Sequence, residues 1–200
     1  MSYVIGITGG VGAGKSQVLS LLKENFGAEV IAADEVGREL MEPGRACFLP
    51  VAELFGPTVI KADGTLDRQK IAEIIFQDKA MLEKQNAIIH PAVKEEIIRR
   101  CRSSEARWIA VEAALLLEAH YEDVCDEFWY IFADAETRRR RLKESRGYTD
   151  ERIRAVMDSQ LTDEQFRLGC DRVIDNSGSL TETKAQIERA LKELQTKEEN

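Results

Sequence analysis

The sequence predicts an α/β fold in which a parallel five-stranded sheet carries an inserted helical subdomain and a helical lid. Short apolar runs recur along the chain, and most are apolar at consecutive positions, as in strands buried on both faces of a parallel sheet. Amphipathic helical patterns separate these runs. One connection, from about Asp34 to Arg107, is too long for a single crossover helix. This alternation predicts ligand binding beyond the carboxyl ends of the strands.

The five predicted strands are the runs richest in β-branched and aromatic residues. They are Tyr3–Thr8, Glu29–Ala32, Trp108–Glu112, Phe128–Ala133 and Arg172–Asp175. Three apolar helical faces lie between or after them: Val18, Leu19, Leu22 and Phe26, then Ile71, Ile74 and Ile75, and finally Ile187, Leu191 and Leu194. Helix starts are predicted at Thr149 and Thr162, which precede acidic residues, and at a capping box from Ser179 to Glu182.

The whole chain, residues 1–200, is predicted to be one domain with two additions. The insert covers about residues 60–105, and the lid covers about residues 136–165. Within the insert His90 precedes Pro91, and the residue before a proline is pushed out of the α region. We therefore expect the long helical pattern to break there, with His90 at the bend and Pro91 starting a new helix.

Composition and charge limit the class of partner. The 200 residues carry a formal net charge of −8 and a pI near 5.0, which argues against nucleic acids and membrane surfaces, because both reward a basic face. Small anionic ligands remain open. The 4 cysteines have no CxxC spacing and the chain has 2 histidines, so neither a zinc site nor a disulfide framework is indicated. With no recognisable signal peptide or membrane span, we expect a cytoplasmic protein that is a monomer or a weak homo-oligomer.

Gly9–Ser16 matches the P-loop pattern GxxxxGK[ST], directly after a predicted strand and directly before an amphipathic helix. The glycines let backbone N–H groups turn inward around phosphate oxygens, Lys15 reaches the β and γ phosphates, and the Ser16 hydroxyl coordinates Mg²⁺. The fold is thus predicted to be a P-loop NTPase core that binds a nucleoside triphosphate with Mg²⁺. The predicted nucleotide-binding residues here are Gly10, Val11, Gly12, Ala13, Gly14, Lys15, Ser16 and Gln17.

Three classes of P-loop protein compete. A GTPase switch needs a guanine reader of the NKxD type, and no Asn-Lys pair occurs in the chain. A motor or assembly ATPase carries a plain Walker B carboxylate, and Glu112, at the end of the third strand, could play a related role. A small-molecule kinase needs a carboxylate for the acceptor hydroxyl and cations over the transferring phosphoryl group.

Asp34 and a run of arginines supply the features of a kinase. Asp34 follows the second strand, where strand ends converge on the P-loop, and it can serve as a general base, as the N-cap of the next helix, or as both. Arg138–Arg141 lies on a helix after the fourth strand, and helical spacing points its members in different directions. One or two of the four can therefore face the phosphates, and we favour Arg141.

Taken in order along the chain, these residues resemble the dephospho-CoA kinase family of P-loop kinases. Members of that family use ATP to phosphorylate the ribose 3′-hydroxyl of dephospho-CoA, the last step of coenzyme A biosynthesis. The resemblance covers nearly the whole chain and is carried by GITGGVGAGKS, ADEVGRELMEPG from Ala33, LFG at Leu54, DGTLDR at Asp63, HP at His90, LLLE at Leu115 and VIDNSG at Val173.

The resemblance implies a role for each matching residue. Asp34 would be the catalytic base, Lys15 and Ser16 the pair that binds ATP and Mg²⁺, and Arg141 a lid cation near the transferring phosphoryl group. The insert would bind the acceptor. The substrate-binding residues that it implies are Thr8, Asp34, Arg68, His90 and Leu115.

Two of the implied residues keep a structural alternative. His90 is either the cap of the helix bend or a polar wall of the acceptor pocket. Asn176 either lies in the loop beside the ATP base or is a turn residue, which the following Ser-Gly favours.

The chain departs from the family pattern at four positions. Ala32 stands where the family usually has aspartate, Gln17 replaces threonine, Ala114 replaces proline, and Arg146 falls one residue later than the usual lid arginine. The missing carboxylate at Ala32 matters most, because it removes a partner of Mg²⁺, and we expect Glu112 to compensate. It also leaves two alternatives: another nucleoside or nucleotide kinase of the same fold, and a P-loop ATPase without a phosphoryl acceptor.

Overall fold

A computed structural model describes residues 2–113, 116–117 and 119–198. Two positions discussed above, Ala114 and Leu115, lie outside the described residues. Within the described part, none of the helices combines the length and the apolar character that a bilayer span requires.

The strands form one parallel five-stranded sheet in the order β2-β3-β1-β4-β5, which confirms the predicted fold class. The strands are β1 (Tyr3–Thr8), β2 (Glu29–Ala32), β3 (Trp108–Glu112), β4 (Glu127–Phe132) and β5 (Arg172–Asp175). β1 lies at the centre and pairs in parallel with β3 and β4, and β4 pairs in parallel with β5. The strand that leads into the P-loop is therefore enclosed by neighbours on both sides.

One predicted strand, Phe128–Ala133, is displaced by one residue in the structure. β4 begins at Glu127, which pairs with Ile5 and is 6% exposed. The buried carboxylate is tolerated because Trp129 Nε1 and Arg172 Nε both donate to its Oε1 at 2.9 Å. A charged residue can therefore begin a buried strand when other side chains donate hydrogen bonds to it. An apolar pattern in the sequence does not predict such a start.

Nine α-helices are present in the described ranges. They are α1 (Lys15–Phe26), α2 (Ala33–Leu40), α3 (Phe48–Phe55), α4 (Arg68–Gln77), α5 (Lys79–Ser103), α6 (Ala135–Arg146), α7 (Asp150–Asp158), α8 (Asp163–Gly169) and α9 (Leu180–Glu198). The predicted starts are confirmed: Thr149 and Thr162 cap α7 and α8, and Ser179 exchanges hydrogen bonds with Glu182 at the start of α9.

The first of two compact units holds residues 1–30 and 104–200. Its core joins β1, β4 and β5 to α1 and α9, and residues from all of them are fully buried: Ile5, Ile7, Val18, Leu22, Trp129, Ile131, Ile174, Ile187 and Leu194. Burial of these apolar faces fixes the start of α1 directly after the end of β1. The P-loop between them is thereby anchored at both ends.

The second compact unit holds residues 31–103 and is helical after the end of β2. The expected break at Pro91 is wrong, because α5 continues through Pro91. A proline inside a helix loses one backbone hydrogen bond, but apolar residues on both sides of it are held by packing. Ile89 precedes Pro91 and packs against Gly37 together with Val93, which follows it. Tertiary packing thus overrides the local preference.

Candidate active site

The P-loop has a backbone that only glycine adopts without strain. Thr8, at the end of β1, is buried, and α1 begins at Lys15. Between them Gly9, Gly12 and Gly14 have φ angles of +147°, +77° and +89°. These positive values turn the peptide planes of the loop, and side chains at these positions would be strained.

The N-terminus of α1 is open to an anion. Its N-cap is Gly14, which has no side chain to accept a hydrogen bond, and no acidic residue lies in the first turn. By contrast, side chains of Asp67, Asp134, Thr149 and Thr162 cap α4, α6, α7 and α8. No side-chain cap therefore competes with a phosphate at this helix end, where the positive end of the helix dipole favours an anion.

Lys15 and Ser16 stand at this open end. Lys15 Nζ donates to the carbonyl oxygen of Gly9 at 2.7 Å, so its ammonium group lies over the loop. Ser16 and Gln17 lie in the first turn of α1, and both are exposed. A serine hydroxyl fits Mg²⁺, which prefers oxygen ligands and commonly takes one or two from protein, with phosphates and water supplying the others. The residues at the start of α1 therefore fit Mg·ATP.

Arg141 and Asn176 hold the C-terminal part of the P-loop. Arg141 Nη1 donates to the carbonyl oxygen of Ala13 at 3.2 Å, and Nη2 donates to that of Asn176 at 2.8 Å. Asn176 is 1% exposed; its Nδ2 donates to the Ala13 oxygen at 2.8 Å and its Oδ1 accepts from Thr183 at 2.9 Å. The buried amide of Asn176 therefore supports the loop directly, and Arg141 places a positive charge beside Gly14.

Arg138 contacts the other part of the loop, although the sequence favoured Arg141 among the four arginines of the run. Its Nε donates to the carbonyl oxygen of Val11 at 2.8 Å, and its guanidinium group fills the space that a β-carbon would need at Gly10. Burial lowers the pKa of Arg138. Arg138 and Arg141 are three positions apart and so share one helix face, whereas Arg139 points to Asp150 at 2.7 Å. The three-residue spacing of Arg138 and Arg141 would have predicted from the sequence that both face the same side of the helix.

Gln160 is a second residue of the site that was not predicted from the sequence. It follows α7, and its Oε1 accepts from the N–H of Val11 at 2.9 Å and from Arg138 Nη2 at 3.1 Å. No local motif marks this residue, because its contacts lie 149 and 22 positions away in the chain.

Asp34 lies in the first turn of α2, in the second unit. The N-cap of α2 is Ala32, so the interpretation of Asp34 as an N-cap is wrong. Asp34 is exposed, and in the described part of the chain no hydrogen bond or ion pair engages its carboxylate. None of the described residues therefore competes with a ligand for this carboxylate.

The other predicted acceptor residues of the second unit are placed as follows. Arg68 donates to the carbonyl oxygen of Arg38 at 3.0 Å and to Glu42 at 2.6 Å. His90 is exposed on α5 and not at a helix break. Asp67 caps α4 by accepting from the N–H of Lys70 at 3.1 Å. These contacts hold Arg68 and Asp67 within the helical unit.

Glu112, the proposed substitute for the carboxylate missing at Ala32, ends β3. In the register of the sheet it lies opposite Ile7, one residue before the buried Thr8. Its Cα thus lies at the edge of the sheet where the P-loop begins.

Known proteins with similar sequences and structures identify the family of this chain. Residues 3–182 match the family model for dephospho-CoA kinase. A dephospho-CoA kinase from Symbiobacterium thermophilum is 38% identical over 190 residues, which cover 94% of this chain and 79% of the relative. Another, from Corynebacterium glutamicum, is 39% identical over 193 residues, with 95% and 98% covered. A crystal structure of a Thermus thermophilus protein aligns with a TM-score of 0.80 at 29% identity, covering 95% of this chain and 96% of that one. The chain belongs to the dephospho-CoA kinase family.

Proposed function

We propose that this chain transfers the γ-phosphoryl group of Mg·ATP to the ribose 3′-hydroxyl of dephospho-CoA, with Asp34 as the base and the P-loop as the phosphate site. Family membership supports the ATP-dependent phosphorylation of dephospho-CoA in coenzyme A biosynthesis. The observation that carries the roles of individual residues is the open N-terminus of α1, with a glycine loop before it and two arginines against that loop.

The phosphate site works by fixed positive charge. The N–H groups at the start of α1 and the ammonium group of Lys15 bind the β and γ phosphates, and Arg141 neutralises charge that builds up on the transferring group. Ser16 would hold Mg²⁺, which when bound neutralises phosphate charge and orients the triphosphate. Because these donors are already held by the protein fold, little reorganisation is needed at the moment of reaction.

Asp34 is proposed to accept the proton of the 3′-hydroxyl as that oxygen attacks phosphorus in line with the leaving ADP. This role is supported by the position of the carboxylate, which is accessible to solvent, is not engaged by the described residues and follows a strand of the sheet.

The second unit, residues 31–103, is proposed to bind the acceptor. The segment from α6 to α8 is proposed to be the lid that excludes water during transfer.

The protein is also proposed to work in the cytoplasm. All four cysteines lie in the described residues, and none of them forms a disulfide. This state is the usual one in a reducing compartment.

The test is an ADP-release assay with Mg·ATP, in which dephospho-CoA, adenosine and AMP are compared as acceptors. We expect ADP release to require dephospho-CoA and the product to carry a 3′-phosphate. Turnover with adenosine or AMP but not with dephospho-CoA would still show a kinase, but it would contradict the proposed acceptor. ADP release at the same rate with and without every acceptor would show that the protein is an ATPase, and it would contradict the role of Asp34 as a base.

A further inference from the structure

The backbone N–H and the carbonyl oxygen of Val11 are both held by side chains from elsewhere in the first unit. Gln160 Oε1 accepts from the Val11 N–H at 2.9 Å, and Arg138 Nε donates to the Val11 carbonyl oxygen at 2.8 Å. Arg138 Nη2 closes the arrangement by donating to the same Gln160 oxygen at 3.1 Å. We call these three residues the Val11 brace. It ties the tip of the P-loop to α6 and to the segment that follows α7.

Gln160 is itself held in place. Its backbone N–H donates to the carbonyl oxygen of Met157 at 3.3 Å, at the end of α7, so the side chain extends from a fixed point. Val11 lies in a turn outside the helices and strands of the described chain. Without Gln160, its N–H would lose the partner that holds the loop tip in one orientation.

The brace binds Arg138 without neutralising it. Arg138 is partly buried, and no ion pair with it occurs among the described residues. Asp163, the acidic group whose charge acts on Arg138, is engaged by Tyr130 and Arg167, each at 2.9 Å. The acceptor on Arg138 is instead the neutral amide of Gln160. A glutamate in that place would make the same two hydrogen bonds and cancel the charge.

We propose that Gln160 is a positioning residue for phosphoryl transfer. It holds the Val11 peptide and Arg138 in one arrangement while the positive charge of Arg138 stays available to the nucleotide phosphates. The inference rests on the proposed function, because it assigns the P-loop to ATP. It also explains why residue 160 is an amide. The Val11 N–H and Arg138 Nη2 need a hydrogen-bond acceptor, and a negatively charged acceptor would neutralise Arg138.

The test uses two variants of Gln160 and one matched control. Gln160→Leu removes the acceptor at similar volume, Gln160→Glu keeps the acceptor and adds charge, and Arg139→Gln breaks an exposed ion pair on the same helix as Arg138. For each protein we would measure the Kd of Mg·ATP by calorimetry without acceptor, kcat and KM with dephospho-CoA, and the Tm.

We expect Gln160→Leu to lower kcat/KM for ATP by roughly tenfold or more, because one neutral hydrogen bond and one to a charged donor are lost. Gln160→Glu should keep or raise the Tm but weaken ATP binding by about tenfold, because the new carboxylate pairs with Arg138 and so weakens the attraction of this cation for the phosphates. Arg139→Gln should stay within about twofold of the wild-type constants.

Two results would overturn the inference. One is Gln160→Glu binding ATP as tightly as the wild type. The other is Gln160→Leu losing only thermal stability, with Kd and kcat/KM unchanged below its Tm. A wild-type protein that binds ATP but forms no phosphorylated dephospho-CoA would contradict the proposed function alone, because the ATP affinities of the Gln160 variants would still decide the role of the brace.

Discussion

Replacing Gly14 by alanine tests how closely the P-loop and its support are packed. A β-carbon at Gly14 would overlap Nδ2 of Asn176 and lie 3.2 Å from Nη1 of Arg141. The φ angle of +89° adds backbone strain for any L-residue. Alanine therefore has to displace the buried amide of Asn176 from the loop that it supports.

The expected cost of Gly14→Ala is about 3 kcal/mol of unfolding free energy. The positive φ contributes about 1 kcal/mol. Displacing Asn176 breaks its hydrogen bond to the Ala13 oxygen and the one that it accepts from Thr183, each worth about 1 kcal/mol. The Thr183 hydroxyl keeps a second acceptor, the carbonyl oxygen of Ser179 at 3.3 Å. A loss of this size is a large fraction of the roughly 5–15 kcal/mol that typically stabilises a domain.

Gly27→Ala is the matched control, because Gly27 ends the same helix with a φ of +66°. Apart from its two chain neighbours, no described residue places an atom within 4 Å of the position that a β-carbon would take there. The control should cost about 1 kcal/mol, from strain alone. Urea unfolding of both variants, without nucleotide, measures the difference. Equal destabilisation of the two would refute the close approach of Asn176 to Gly14.

Two further predictions concern the second unit. Asp34→Asn should lower kcat by about 10²- to 10⁴-fold with little change in the Kd of ATP, while the neighbouring Glu35→Gln keeps wild-type kinetics; a loss confined to KM would contradict the role of Asp34 as base. Hydrogen bonds from Arg99 and Arg100 lower the pKa of Glu96 to about 2, below its value of about 4.3 in an unfolded chain. The stabilisation is therefore complete above about pH 4.3 and is lost as the pH falls towards about 2, so Glu96→Gln should be less stable than the wild type at pH 7 and equally stable near pH 2 in chemical denaturation. A stability gap that stays constant between these pH values would show that the ion pairs contribute nothing.

The sequence predicts those parts of this molecule that depend on local pattern. The extent of β1 and the glycines before Lys15 are local features, because a buried strand, a loop of fixed φ and a helix follow one another without interruption. The start of α7 at Thr149 is likewise a matter of four consecutive residues. Such features can be predicted from the sequence because residues adjacent in the chain determine them.

Features that depend on distant partners were missed or misjudged. Pro91 lies inside α5, because packing on both sides of it outweighs a local preference. Glu127 begins a buried strand only because Arg172 and Trp129 reach it. Gln160 meets Val11 across 149 positions, and no sequence pattern encodes that distance.

The open N-terminus of α1 also makes the nucleotide part of the folded state's energetics. Because α1 supplies Val18 and Leu22 to the central core, an anion that completes this helix end stabilises the element on which the core is built. By mass action, a ligand at about 100 times its Kd adds about 2.7 kcal/mol to the stability of the form that binds it. The same helix end that recruits a substrate thus makes resistance to unfolding and proteolysis rise and fall with the concentration of that substrate.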